Sequence, residues 1–182
     1  TQRSSLSARA VRPLGDEAEI GLDASWLYLA EDFQDTHEAH GELGLGRQHV
    51  IARTHAVGLG AVGQALLSEG HLTAVRLQAR WERFSHRDRV QAEKADPKDR
   101  LRLALAGQHE WNPIAGLFVL PTVRLEYLYG HFGGGPIPGG VGELSASTSN
   151  DFTWQGSLGL RWEALPGFTL QANGGRYVRT PD

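Results

Sequence analysis

Between Asp151 and Val178 the chain reads DFTWQGSLGLRWEALPGFTLQANGGRYV, and apolar positions alternate with polar ones. Phe152, Trp154, Leu158, Leu160 and Trp162 share one parity; Asp151, Thr153, Gln155, Ser157, Arg161 and Glu163 share the other. Successive side chains of a strand point to opposite faces, so this spacing predicts a strand with one apolar, aromatic face and one polar face. The turn EALPG is short, and Phe168, Leu170 and Ala172 resume the apolar parity opposite Thr169, Gln171 and Asn173. The two arms predict a β-hairpin.

The same period recurs upstream. Ala18, Ile20, Leu22, Ala24, Trp26 and Tyr28 oppose Glu19, Gly21, Asp23 and Ser25, and Val75, Leu77, Ala79 and Trp81 oppose Arg76, Gln78, Arg80 and Glu82. Leu101, Leu103 and Leu105 open a strand that runs to Trp111, and Leu117, Val119, Val123, Leu125, Tyr127 and Tyr129 form the next, opposite Thr122, Arg124 and Glu126. Residues 49–67 are apolar but alternate poorly around Gly58, Gly60 and Gly63. Their neighbours favour a strand with Val50, Ala52, Ala56 and Val62 on a charge-free face and Arg53 and His55 on the other; a small-residue helix stays open on length. Residues 1–16 read as a polar lead-in, with Pro13 and Gly15 marking a turn, and residues 17–182 as the patterned body. Residues 31–48, 85–100 and 130–150 read as long loops: the first acidic, the second dense in charge, the third built on GGGPIPGG. The expectation is an all-β chain of about seven antiparallel strands.

One internal repeat sets the topology. WNPIAGLFV from Trp111 matches WEALPGFTL from Trp162, each a strand-ending Trp, a short turn and a strand that resumes the apolar parity, and Ser68 to His71 is a degenerate third copy. Short turns therefore alternate with long loops, which places all short turns at one end of an up-and-down meander. Outer-membrane barrels show this asymmetry. Trp111 and Trp162 sit beside short turns, whereas Trp26, Tyr28, Trp81, Tyr127, Tyr129, Phe152 and Trp154 sit toward the long loops. Aromatic girdles flanking a band of Leu, Val, Ala and Gly suit a barrel wall facing lipid. The competing reading is a water-soluble β-barrel or sandwich with the apolar face inward.

Composition narrows the chemistry. The chain has no Cys, which excludes thiolate catalysis, disulfides and Cys-ligated zinc, and its net charge of −3 argues against a nucleic-acid partner. No apolar run reaches the length of a membrane helix, about 18 residues, a test blind to β-barrels. The chain opens on Thr1 and contains no Met, so the expectation is a processed chain or a segment of a longer one.

SLGLRWEALPGFTLQANGGRYVRTPD resembles the barrel of TonB-dependent outer-membrane receptors, where a GLRW-type strand, an LPG turn, a strand such as FTLQANGG and a following RYVRTP recur. WNPIAGLFVLPTVRLEY and LTAVRLQARWERF are similar in style. The resemblance implies an antiparallel, transmembrane sheet that is part of a larger barrel of roughly 22 strands in a bacterial outer membrane. It further implies uptake of a scarce nutrient, most often a ferric siderophore, with cobalamin or haem as alternatives. The implied partners are outer-membrane lipid, a plug domain, the TonB energy-transducing complex and a small-molecule substrate such as a metal chelate. A passive porin or small structural barrel, and a soluble lipocalin-like binding module, are the other functional classes.

Candidate site residues divide by place. His37 and His40 lie in a loop with Glu31, Asp32, Asp35 and Glu38, and His86 and His131 lie in the other two loops, where they are candidate ligand contacts. The His37 and His40 spacing matches no tight metal motif, so a solvated loop is favoured and neither a metal site nor a cofactor is expected. Arg76, Arg80, Glu82, Arg124, Glu126 and Arg161 share the polar parity and would line a lumen, either contacting a plug or an anionic ligand or pairing with one another. The girdle would comprise Trp26, Tyr28, Trp81, Trp111, Tyr127, Tyr129, Trp154 and Trp162. No GxSxG elbow occurs and GGGPIPGG lacks the Lys-Ser or Lys-Thr of a phosphate loop, so no enzyme is expected.

Overall fold

The computed structural model describes residues 1–35, 48–89, 96–136, 143–165 and 167–178. They form one antiparallel sheet of eight strands and a separate two-stranded ribbon, with no helix among them. In chain order the strands are β1 (Gln2–Pro13), β2 (Ala18–Asp35), β3 (Gln48–Ser68), β4 (His71–Asp88), β5 (Lys98–Ile114), β6 (Leu117–Phe132), β7 (Gly135–Pro136), β8 (Glu143–Leu144), β9 (Ser147–Leu165) and β10 (Phe168–Arg176). The sheet order is β1-β2-β3-β4-β5-β6-β9-β10, so every strand pairs with its sequence neighbours except where the β7/β8 ribbon intervenes. Antiparallel meanders need no crossover.

Four connections lie at one end of the sheet, and each contains a glycine at positive φ: Gly15 (81°), Gly70 (78°), Gly116 (80°) and Gly167 (81°). That conformation is open to glycine at no steric cost. Register shifts accompany three of these turns, between Leu66 and Ser68, between Trp111 and Ile114, and between Phe168 and Thr169. The WNPIAG and WEALPG repeat is thus a turn plus a bulge, and Gly15 supplies a further turn that the repeat did not reveal.

The strands outrun the hydrophobic pattern. β3 has 21 residues and β9 has 19, against about 3–10 in ordinary globular sheets. The ends of the three expected loops are therefore strand: β2 runs to Asp35, β4 to Asp88, β5 begins at Lys98, β6 runs to Phe132 and β9 begins at Ser147. Alternation fades where both faces meet water, although the backbone ladder continues. The expected lead-in at residues 1–16 is β1, paired with β2 from Gln2↔Ala30 to Pro13↔Glu19, so the main sheet has eight strands and not seven.

Register assigns the faces. One face collects Leu6, Leu22, Leu59, Leu77, Leu105, Leu125 and Trp154; the other collects Arg9, Asp23, Gly60, Gln78, Ala104, Glu126 and Thr153. On β3 the expected assignment is inverted. Val57, Leu59 and Ala61 join the apolar face with Arg53 and His55 at its end, while Ala52, Ala56, Gly58, Gly60 and Val62 lie on the charged face. Lack of charge on the even parity reflected small size: Gly60 lets the Asp23 carboxylate of β2 lie over β3, within 3.8 Å of Arg76 on β4.

No second layer covers either face among the described residues. Among the described residues the buried strand positions are Gly21, Ala56, Ala104, Glu126 and Thr153, all on the charged face. On the apolar face Leu22, Leu59, Leu77 and Phe152 are 54–62% exposed.

Candidate functional site: the charged face

Arg76, Arg80, Glu82, Arg124, Glu126 and Arg161 fall on one face, as their parity required. Register adds Arg100 and Arg102 of β5, which stand beside Glu82 and Arg80 respectively. Arg102 was legible as the polar partner of Leu101 and Leu103; Arg100 was hidden inside an expected loop.

These residues form two carboxylate-centred clusters. Glu82 receives Arg80 Nε at 2.6 Å on Oε1, and Arg100 Nη2 and Nε at 2.7 and 3.0 Å on Oε2. Glu126 receives Arg102 at 2.9 Å on both oxygens, and Arg124 Nη2 and Nε at 3.0 and 3.2 Å on Oε2. Each carboxylate serves two guanidiniums, so each cluster retains one surplus positive charge. Guanidinium forks suit this sharing because several N–H groups point in one plane. The Glu126 side chain is 4% exposed, so here the pairing replaces lost hydration. Its cross-strand neighbour Thr153 has a buried hydroxyl with no hydrogen-bond partner among the described residues.

Outside the clusters the face is looser. Arg161 lies 4.0 Å over the Phe118 ring and 3.6 Å from Glu163, both ends of that ion pair being about half exposed. Thr122 and Ser157 share a 2.6 Å hydrogen bond.

The expected ligand histidines do not converge. His37 and His40 lie outside the described residues. His86 and His131 lie in strands β4 and β6, not in loops, and on opposite faces: His86 pairs with Ala52 on the charged face, and His131 pairs with Asp99 and Thr148 on the other. The described residues contain no cluster of three metal-ligating side chains.

All eight expected girdle residues lie on the apolar face. Trp26, Val57, Trp81, Leu101, Tyr129 and Asn150 occupy one hydrogen-bonded row across six strands. On the apolar face of β2 the outermost aromatic, Tyr28, lies beyond this row; on β9 the first are Phe152 and Trp154, which lie inside it. At the opposite end the Trp111 row reaches β9 at Leu160, and Trp162 is displaced in the same direction. Both aromatic boundaries therefore slant across the rows by about one residue per strand. With a rise of about 3.4 Å and a strand spacing of about 4.8 Å, this is a slant of roughly 35°.

No protein-family model matches this chain, no curated protein matches its sequence, and no solved structure matches its fold.

Proposed function

We propose that this sheet is part of the wall of an outer-membrane β-barrel transporter, with its apolar face toward lipid and its charged face toward the lumen. The slanted aromatic boundaries carry this reading. Strands of membrane barrels tilt by about 35–45° from the barrel axis, so a girdle level with the membrane must step across the hydrogen-bonded rows, as these residues do. The apolar stretch of β9 from Phe152 to Trp162 also has the length of a membrane-crossing strand, about 9–11 residues.

Energetics require a cover for that face. About twenty large apolar side chains, each roughly half exposed, forgo on the order of 20 kcal/mol of burial, which exceeds the net stability of a typical domain, about 5–15 kcal/mol. Lipid supplies the cover without a second protein layer.

The wall itself performs no chemistry. As a TonB-dependent receptor, the reading suggested by the GLRW, LPG and RYVRTP segments, it would enclose a plug and pass a scarce nutrient such as a ferric chelate inward. The surplus positive charge of the Glu82 and Glu126 clusters suits an anionic cargo or the acidic side chains of a plug. Reading the coding sequence upstream for a plug-sized domain separates this receptor from a passive porin. Outer-membrane fractionation of the native protein tests the location: recovery in the soluble fraction would end the proposal.

One observation favours a second reading. The apolar face carries a broad groove of about 880 Å³ lined by Leu22, Leu59, Leu77, Leu103, Leu125 and Phe152. In a soluble, lipocalin-like barrel this groove would be the inner wall of an apolar ligand cavity.

A further inference from the structure

On the charged face, at the end of the sheet away from the four glycine turns, a pocket of about 490 Å³ opens between β3 and β9. Phe84 of β4, Lys98 of β5 and Phe132 of β6 occupy one cross-strand row, so the lysine stands between two phenyl rings. Two strand spacings separate the phenylalanine Cα atoms, roughly 10 Å. The Lys98 ammonium lies 4.9 Å from the Phe132 ring centroid and makes no ion pair among the described residues. Arg100 forms the adjacent wall, and Ser147 and Ser149 add hydroxyls from β9. Gly130 leaves the space that the Ser149 hydroxyl occupies: a Cβ there would stand 2.8 Å from it.

Charge selects the sign of the ligand. Two carboxylates are in the lining and both are already held: Asp99 by Arg83 through Nε and Nη2 at 2.9 Å each, a neutral pair, and Glu82 by Arg80 and Arg100, which leaves that trio with one surplus positive charge. Lys98 adds a second. A cation would meet two uncompensated positive charges, whereas an anion would gain Lys98 as a partner and the serine hydroxyls as donors. The flanking phenyl rings favour a flat apolar body over a bare inorganic ion, because ring faces gain by stacking and are not satisfied by a small hydrated anion.

We propose that this pocket is a binding site for a small organic anion with a flat apolar body, of the aromatic carboxylate class. The carboxylate meets Lys98 and the serine hydroxyls while the ring lies over the Lys98 stem and against the flanking Phe84 and Phe132. As an element of a transport path the site rests on the reading of the charged face as a lumen; as a pocket it rests on these side chains alone.

The test is calorimetric titration of the folded full chain in detergent micelles with benzoate, acetate and benzyl alcohol as probes. Benzoate is expected to bind at least about tenfold more tightly than acetate, which lacks the ring, and than benzyl alcohol, which lacks the charge. Lys98→Gln and Phe132→Leu should each weaken benzoate about tenfold, and Lys98→Arg should retain it, with thermal unfolding showing that each variant is folded. Benzoate binding no tighter than acetate, or unchanged by Lys98→Gln and Phe132→Leu, overturns the proposal. Quenching of the tryptophans by brominated lipid, measured on the same protein transferred to vesicles, separates the two readings. Quenching without benzoate binding overturns the pocket alone; selective benzoate binding without quenching supports the pocket and removes the membrane wall.

Discussion

Glu126 offers the sharpest perturbation. Its carboxylate is 4% exposed and joins Arg102 and Arg124, whose side chains are 47% and 34% exposed. Truncation to alanine leaves two guanidiniums facing each other across the sheet with no counter-charge. Removing one member of a buried ion pair typically costs about 3–5 kcal/mol. Because both arginines keep contact with water, the lower end, about 3 kcal/mol, is expected for Glu126→Ala. Glu126→Gln keeps the shape and two acceptor lone pairs and should cost less, about 1–2 kcal/mol. Glu163→Ala is the control: its pair with Arg161 is 3.6 Å long and about half exposed, and such surface pairs contribute about 0–1 kcal/mol. Urea unfolding of the chain folded in micelles, followed by tryptophan fluorescence, measures all three. If Glu126→Ala costs no more than Glu163→Ala, the clusters do not stabilise the sheet and the account of the charged face is wrong.

Three further perturbations address separate features. Gly116→Ala places a Cβ at φ 80° and 2.9 Å from the Glu163 carbonyl oxygen, so a loss of about 1–3 kcal/mol should appear in the same urea assay; no loss would contradict the turn geometry. Thr153→Val removes a buried hydroxyl that has no partner among the described residues and should be neutral or slightly stabilising, within about 0.5 kcal/mol, whereas a large loss would show that the hydroxyl is hydrogen-bonded. Leu105→Arg sets a charge in the apolar band and should cost about 2–4 kcal/mol in bilayer-folded protein; an unchanged folding free energy in lipid vesicles would place that face in water.

The parts legible in the sequence were those where a single physical constraint repeats. On β2, β4, β6 and β9 one face is apolar and the other charged, so period-two counting found both the strands and the Arg76, Arg80, Glu82, Arg124 and Glu126 face. β1 escaped because Ala8 and Ala10 are weak markers and Arg12 sits on the apolar parity opposite Ile20. β3 was assigned the wrong face because its glycines and alanines stand beneath longer neighbours. Gly58 would place a Cβ 2.6 Å from the Ser25 hydroxyl, and Gly60 would place one 2.5 Å from the Asp23 carboxylate. Such crowding is a property of the neighbouring strand and leaves no mark in the β3 sequence itself. The strand ends beyond the aromatic rows, including Lys98 and Arg100, were read as loop because hydrophobic alternation reports burial and not hydrogen bonding. The pocket between Phe84 and Phe132 was invisible for the same reason: its three row members come from three strands, two of them at ends that the pattern did not reach.

The account turns on which way the apolar face points, and tryptophan quenching by lipids brominated along the acyl chain measures this directly. Folded into such vesicles, Trp81, Trp111, Trp154 and Trp162 should be quenched, most strongly by bromines near the headgroup region, since they lie at the two ends of the apolar band. Emission unchanged by brominated lipid, with the sheet folded by circular dichroism, would contradict the membrane wall and turn the apolar groove inward, as a soluble barrel requires.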